Sequence, residues 1–177
     1  MPTVPTVTLN ARSDRPEMVS VAIGQWAVAA APDRVQTLLG SCVGVVLYHR
    51  SAKLGGVAHI VLPTAPGIVD HPGKYADMAI PALIAELDRR AGENCRPRLI
   101  AKLAGGASMF QVESSIADNS PLHIGRRNQE AIEQILGALS IPILGRDLGG
   151  NYGRRLILDT ASGNVTIKVP GGADREL

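Results

Sequence analysis

The sequence predicts an α+β fold: one domain whose helices cover a mixed or antiparallel sheet system. Three observations carry this reading. Short runs rich in β-branched residues recur along the chain, several alternating with period two. Two longer stretches, 76–91 and 125–139, repeat apolar residues at helical spacing. These two stretches stand well apart among the strand signals, so helices cover sheets and do not alternate regularly with strands. A length of 177 residues suits a single domain with a sizeable core. Aromatic residues are only 3%, so that core is built mainly from Val, Ile, Leu and Ala.

Residues 1–17 are polar, proline-containing and aperiodic, and read as a flexible N-terminal arm before a domain over 18–177. Strands are expected at 19–23 and 26–30, the second ended by Pro32-Asp33. Two apolar runs, 42–48 and 54–62, form a hairpin around the polar segment 49–53. A proline- and glycine-rich loop fills 63–74. The helix over 76–91 places Ile80, Leu83, Ile84 and Leu87 on one face, with Asp77 as N-cap, Pro81 tolerated near the first turn and Gly92 as the stop. A strand over 98–103 stops at Gly105-Gly106. The helix over 125–139 carries Ile132, Ile135, Leu136 and Leu139 as its stripe. Strands follow at 143–147, 154–159 and 164–169, the last two joined by a turn at 160–163.

The hairpin carries the chemistry. Cys42 opens its first run and His59 lies seventeen residues on, near the end of the second. With the tip at Arg50 and Ser51, the two residues stand directly opposite on one face, at a Cβ separation of about 4.5–5.5 Å. An imidazole at that range can take the thiol proton and leave a thiolate nucleophile. The same register puts Gly44, Val46, Gly55 and Val57 on the Cys42 face and Val43, Val45, Leu47, Leu54 and Ala58 on the other. A small core cysteine beside a satisfied strand histidine is the plain alternative. Thr37 and Ser41 flank the cysteine upstream, around a tight turn at Gly40. A hydroxyl there can orient His59, and backbone near Ser41 can face an oxyanion.

Other groups are less specific. His49, His71 and His123 sit singly in or beside loops, without metal-ligand spacing, so neither a metal nor another cofactor is expected. Cys95 reads as an incidental thiol. Gly105-Gly106 and Gly149-Gly150 lack the residues that complete a phosphate-binding loop. Ile124-Gly125-Arg126-Arg127-Asn128 opens the second helix, and Asn128 could hydrogen-bond a substrate amide. A net charge of +2 and scattered cations argue against nucleic acid. No apolar run reaches the ~18 residues of a membrane span, so no membrane insertion is expected. Two cysteines and an N-terminus without a signal peptide fit a reducing cytoplasm.

Six collinear segments resemble the CheD family, the chemoreceptor glutamine deamidases of bacterial chemotaxis: Thr37-Leu38-Leu39-Gly40-Ser41-Cys42-Val43, His59-Ile60-Val61-Leu62-Pro63, Lys74-Tyr75-Ala76-Asp77, Gly105-Gly106-Ala107-Ser108-Met109-Phe110, Ile124-Gly125-Arg126-Arg127-Asn128 and Gly149-Gly150-Asn151-Tyr152-Gly153-Arg154. The likeness spans about residues 19–169. It implies a fold resembling toxin-type cysteine deamidases, a β-sandwich-like core flanked by helices, and a thiol hydrolase that converts receptor glutamines to glutamate. It implies Cys42 as nucleophile, His59 as base and Thr37 as third member, with Gly40, Ser41 and Asn128 around the oxyanion and substrate. The chemoreceptor is then the substrate and a CheC-type phosphatase a possible partner. The chain departs from the family at Ala58-His59-Ile60, where the family usually reads Asn-His-Phe, and in the basic hairpin tip at His49-Arg50. A binding module that docks on those proteins without catalysis, and a peptidase or esterase using the same pair, are the competing functions.

Overall fold

The computed structural model describes residues 15–108 and 124–177. Residues 1–14 of the expected arm, His123, and the Met109-Phe110 end of one segment lie outside them. Glu17 is already tied to the domain, its N–H donating to the Asp33 carboxylate at 3.1 Å and its carbonyl accepting from Arg34 at 2.8 Å.

Ten strands and two α-helices build three layers. The strands are β1 (Met18–Ser20), β2 (Trp26–Ala30), β3 (Arg34–Leu39), β4 (Val43–His49), β5 (Leu54–Ile60), β6 (Leu99–Gly105), β7 (Ile143–Leu148), β8 (Arg154–Asp159), β9 (Val165–Lys168) and β10 (Arg175–Glu176). The helices are α1 (Ala76–Ala91) and α2 (Ile124–Ala138). One sheet has the order β1-β3-β8-β9-β10 and the other β2-β5-β4-β6-β7. Among the described strands β1–β3 and β6–β7 pair in parallel and the rest antiparallel, which makes both sheets mixed.

Period-two alternation decides which side chains meet. Val35, Leu39, Leu156 and Leu158 of the first sheet pack against Val46, Tyr48, Val57 and Ala104 of the second. The opposite face of the second sheet sends Val43, Val45, Leu47 and Ala58 against Ile80, Leu83, Leu87, Ile132 and Leu136 of the helices. Each buried Leu or Ile contributes about 1.5–3 kcal/mol of transfer free energy, so these aliphatic layers replace the missing aromatics. Gly56 brings α1 close, because a Cβ there would stand 2.6 Å from Leu83 Cδ1.

The strand β3 corrects the sequence reading, which placed Thr37 beside a tight turn. Val35, Thr37 and Leu39 alternate inward, but exposed Leu38 blurs that pattern in the sequence. The cap of α1 is also different. Tyr75 is the N-cap, and Asp77 instead accepts the Ala65 N–H at 3.1 and 3.2 Å, holding the preceding loop. Pro81 lies beyond the first turn, on the exposed side of the helix. Gly92 closes α1 at φ +69° as expected.

Candidate active site

The hairpin register differs from the expected one. His49 pairs with Leu54, so the tip has four residues, Arg50 to Lys53, where the sequence reading placed its centre between Arg50 and Ser51. Two features build the longer tip: the Ala52 N–H donates to His49 Nδ1 at 3.1 Å, and Lys53 turns the chain at φ +47°. His59 therefore faces Gly44, not Cys42. The shift moves the partner by two residues, an even number, so every side chain keeps its expected face. Cys42 becomes the diagonal neighbour of His59, a position still within reach of a long side chain. Gly44, directly opposite the imidazole, puts no side chain between them.

Thr37 reaches the same point from the first sheet. Its hydroxyl oxygen lies 2.7 Å from His59 Nδ1 and 2.9 Å from the Val21 carbonyl. A hydroxyl has one hydrogen, and a carbonyl can only accept. The threonine must therefore donate to Val21 and accept from His59. That assigns the Nδ1–H tautomer to the ring and leaves Nε2 with its lone pair. Thr37 and His59 are 4% and 2% exposed, so water does not compete for this bond. Burial pushes the His59 pKa below its ordinary 6.5 and the Cys42 thiol above its ordinary 9.0. The resting site thus holds a neutral imidazole and a neutral, half-buried thiol.

The loop carrying Cys42 is held by its carbonyls. The Gly106 N–H donates to the Cys42 carbonyl at 2.8 Å and the Ala107 N–H to the Gly40 carbonyl at 2.9 Å. Gly105 lies so close that a Cβ on it would stand 2.2 Å from the Cys42 carbonyl oxygen. In a planar trans peptide the C=O and N–H point in opposite directions. Fixing the Gly40 carbonyl toward Ala107 therefore turns the Ser41 N–H away from that loop. Among the described residues nothing accepts from the Ser41 or Cys42 N–H.

The other segments singled out in the sequence gather around this loop. Lys74 offers its carbonyl to the N–H groups of Val61 and Leu62, both at 2.9 Å. Gly125 seats α2 against Gly106, with its missing Cβ 2.6 Å from the Gly106 carbonyl oxygen. Asn128 does not open onto a substrate groove. It is fully buried and its Nδ2 donates to the Val61 carbonyl at 2.8 Å, fastening α2 to the chain just past His59. Among the described residues its Oδ1 has no hydrogen-bond partner. Cys95 is buried with its thiol directed at the Leu87 carbonyl, and His49 belongs to the hairpin tip. Shallow grooves flank the loop. One of about 590 Å³ runs beside Leu38, Leu39, Gly40 and Arg155, one of about 290 Å³ borders Thr37 and Val21, and one of about 280 Å³ lies between Ser108 and Gly150. The sequence reading missed the Val21 carbonyl, which fixes the tautomer, and the burial of Arg154, which it named only as the end of the Gly149–Arg154 segment.

Comparison with known proteins agrees with the motifs. The profile of the CheD chemotactic sensory transduction family matches residues 61–169. A probable chemoreceptor glutamine deamidase CheD of Desulforamulus reducens is 47% identical over 156 residues, covering 86% of this chain and 91% of its own. Its counterpart in Moorella thermoacetica is 46% identical over 160 residues, covering 89% and 93%. A looser likeness, at 17% identity and a TM-score of 0.46, relates 80% of the chain to 62% of the hypothetical protein YfiH of Bacillus licheniformis.

Proposed function

The chain belongs to the CheD family, and from that premise we propose that it is a cysteine-dependent protein-glutamine deamidase acting on chemoreceptors, with Cys42 as nucleophile, His59 as general base and acid, and Thr37 as the group that orients the base. The observation that carries this is the Thr37–His59 bond. It leaves a bare Nε2 on an uncharged imidazole, diagonal across the hairpin from a free thiol.

The steps follow from that starting state. His59 Nε2 takes the Cys42 proton as Sγ attacks the glutamine carboxamide carbon. Burial opposes a standing thiolate–imidazolium pair, so proton transfer accompanies attack and does not precede it. The carbonyl oxygen becomes an oxyanion, for which the unclaimed Ser41 and Cys42 N–H groups are the donors. One such donor is worth about 2.7–4 kcal/mol in the transition state. His59 returns the proton to the departing ammonia, and a thioester remains on Cys42. Water, deprotonated by the same Nε2, attacks that thioester, and glutamate leaves as the thiol is restored.

The flanking grooves suit a protein substrate, whose side chain is presented from a long surface. The free Cys42 thiol suits a reducing cytoplasm. A CheC-type phosphatase as partner rests on the family resemblance alone. Gly40 and Ser41 serve through backbone in this reading, and Asn128 serves by holding Val61. The test is peptide mass spectrometry of a chemoreceptor cytoplasmic fragment after incubation with the protein or with Cys42→Ala. Conversion of defined glutamines to glutamate by the unaltered protein alone is expected. Equal conversion by Cys42→Ala would remove Cys42 from the mechanism, and no conversion by either would favour the binding module.

A further inference from the structure

We infer that Arg154 is a positioning residue for the reaction: through two stacked glycine loops its buried guanidinium sets the orientation of the oxyanion-binding backbone at Ser41. The inference rests on the deamidase reading above and extends it to a residue outside the reacting groups.

Arg154 opens β8 and is 1% exposed. A buried cation is tolerated only when paired and hydrogen-bonded. Its first partner is the Asp147 side chain, itself only 8% exposed. That carboxylate is shared with Arg175, 2.9 Å from its other oxygen. The Arg154 guanidinium stacks over the Tyr152 ring at 4.7 Å, and Arg175 lies over the same ring at 5.8 Å. This cluster does more than neutralise charge. Arg154 Nη1 donates to the Asp147 carbonyl at 2.6 Å, and Nη2 donates to the Gly149 carbonyl. One planar fork thereby fixes both ends of the bend leaving β7, where Gly149 and Gly150 hold φ of +78° and +74°.

That bend is the support for the next loop. The Gly149 N–H donates to the Gly105 carbonyl at 2.9 Å, and the Gly150 carbonyl accepts from Ser108 at 2.8 Å. The Gly105–Ser108 loop in turn donates from Gly106 to the Cys42 carbonyl and from Ala107 to the Gly40 carbonyl. The series is continuous, and each link beyond the Arg154 fork is a backbone hydrogen bond with a defined direction. Its end point is the Gly40–Ser41 peptide plane, whose N–H is aimed by the bond its carbonyl makes. Thr37 on β3 and His59 on β5 are joined by a hydrogen bond of their own, which is not one of the links of this series.

This separation makes the inference testable. An oxyanion donor matters to attack on a carbonyl and not to alkylation of a thiol, which passes through no oxyanion. Arg154→Lys keeps a cation opposite Asp147 but cannot fork to two carbonyls. It should lower kcat for receptor-fragment deamidation by about 100-fold, the scale of one lost oxyanion donor. KM should hold, and the rate at which iodoacetamide alkylates Cys42 should not change. An unchanged kcat would overturn the inference, as would an alkylation rate that falls in step with kcat, which would mark a general loosening of the site. Amide hydrogen exchange on the unaltered protein gives a second reading that needs neither turnover nor a folded variant. The N–H groups of Gly106, Ala107, Ser108 and Gly149 should be protected while that of Ser41 exchanges freely. Exchange at Ala107 and Ser108 as fast as at Ser41 would break the series. Absence of deamidation by the unaltered protein would instead count against the reading under which kcat was measured, and the exchange pattern would still decide the geometry.

Discussion

Two histidines lie near the two ends of one hairpin, both almost fully buried, and their rings are wired in opposite senses. His49 closes the tip on the helix side of its sheet. Its Nδ1 accepts the Ala52 N–H, so its hydrogen sits on Nε2, which stands 3.3 Å from a Glu93 carboxylate oxygen without the alignment of a hydrogen bond. His59 lies toward the open mouth, facing the other sheet. Its Nδ1 donates to Thr37, and its Nε2 is bare. Burial alone therefore says little about a histidine's task. What separates the two is the partner of Nδ1: a backbone donor makes a turn, and a hydroxyl acceptor that is itself held in place leaves Nε2 with its lone pair.

The largest effect that would sharpen this contrast comes from His59→Asn. In the proposed reaction this removes the general base and acid, so kcat should fall by about 100- to 10,000-fold, read as glutamate formation in a receptor fragment. A variant retaining most of the activity would end the comparison, since the two rings would then differ in geometry but not in work. The pH dependence follows from the lowered pKa of His59. The folded protein binds a proton on this ring less readily than the unfolded chain does. Its contribution to stability is therefore full above the ordinary value of 6.5 and is lost as pH falls through the lowered folded value. Denaturant unfolding across that acid range should show stability declining with pH, and His59→Asn should flatten the decline. Activity should persist below pH 6.5, because the ring stays neutral there.

Next in size is Thr37→Val, which keeps shape and removes the hydroxyl. A neutral hydrogen bond is worth about 0.5–1.5 kcal/mol, and 1.36 kcal/mol is a factor of ten, so kcat should drop by about tenfold. Thr37→Ser should restore most of it. A drop in Thr37→Val that serine does not restore would point to packing at the methyl group and away from control of the tautomer.

The contrast between the rings was only partly legible in the sequence. Short β-branched runs and two amphipathic stretches exposed most of the sandwich and both helices, because those patterns reflect which faces are buried. The faces of the hairpin could be read correctly while its register could not. Alternation constrains a register only to within two residues, and the tip length depended on a histidine–amide bond and on Lys53 adopting positive φ. Strand β3 was hidden by exposed Leu38, and with it the sheet that delivers Thr37. The residues Thr37, Cys42 and His59 stood out in the sequence as candidates, and the structure brings Thr37 and His59 into a hydrogen bond. The direction of the Thr37–His59 bond could not be read there, because it rests on the Val21 carbonyl, a backbone atom with no signature. Arg154 had no signal as a buried ion: at the start of a strand an arginine ordinarily reads as solvated.

The smallest effect belongs to the other ring. His49→Gln should leave kcat for deamidation unchanged, because the tip lies at the opposite end of β4 from Cys42 and shares no hydrogen bond with it. Stability should fall by about 1 kcal/mol as the Ala52 N–H loses a well-placed acceptor. Amide exchange at Ala52 should quicken while that of the β4–β5 ladder holds. A tenfold loss of activity from this change would mean that the tip sets the hairpin register at its mouth. The four-residue turn, and not Gly44 alone, would then keep the thiol diagonal to the imidazole.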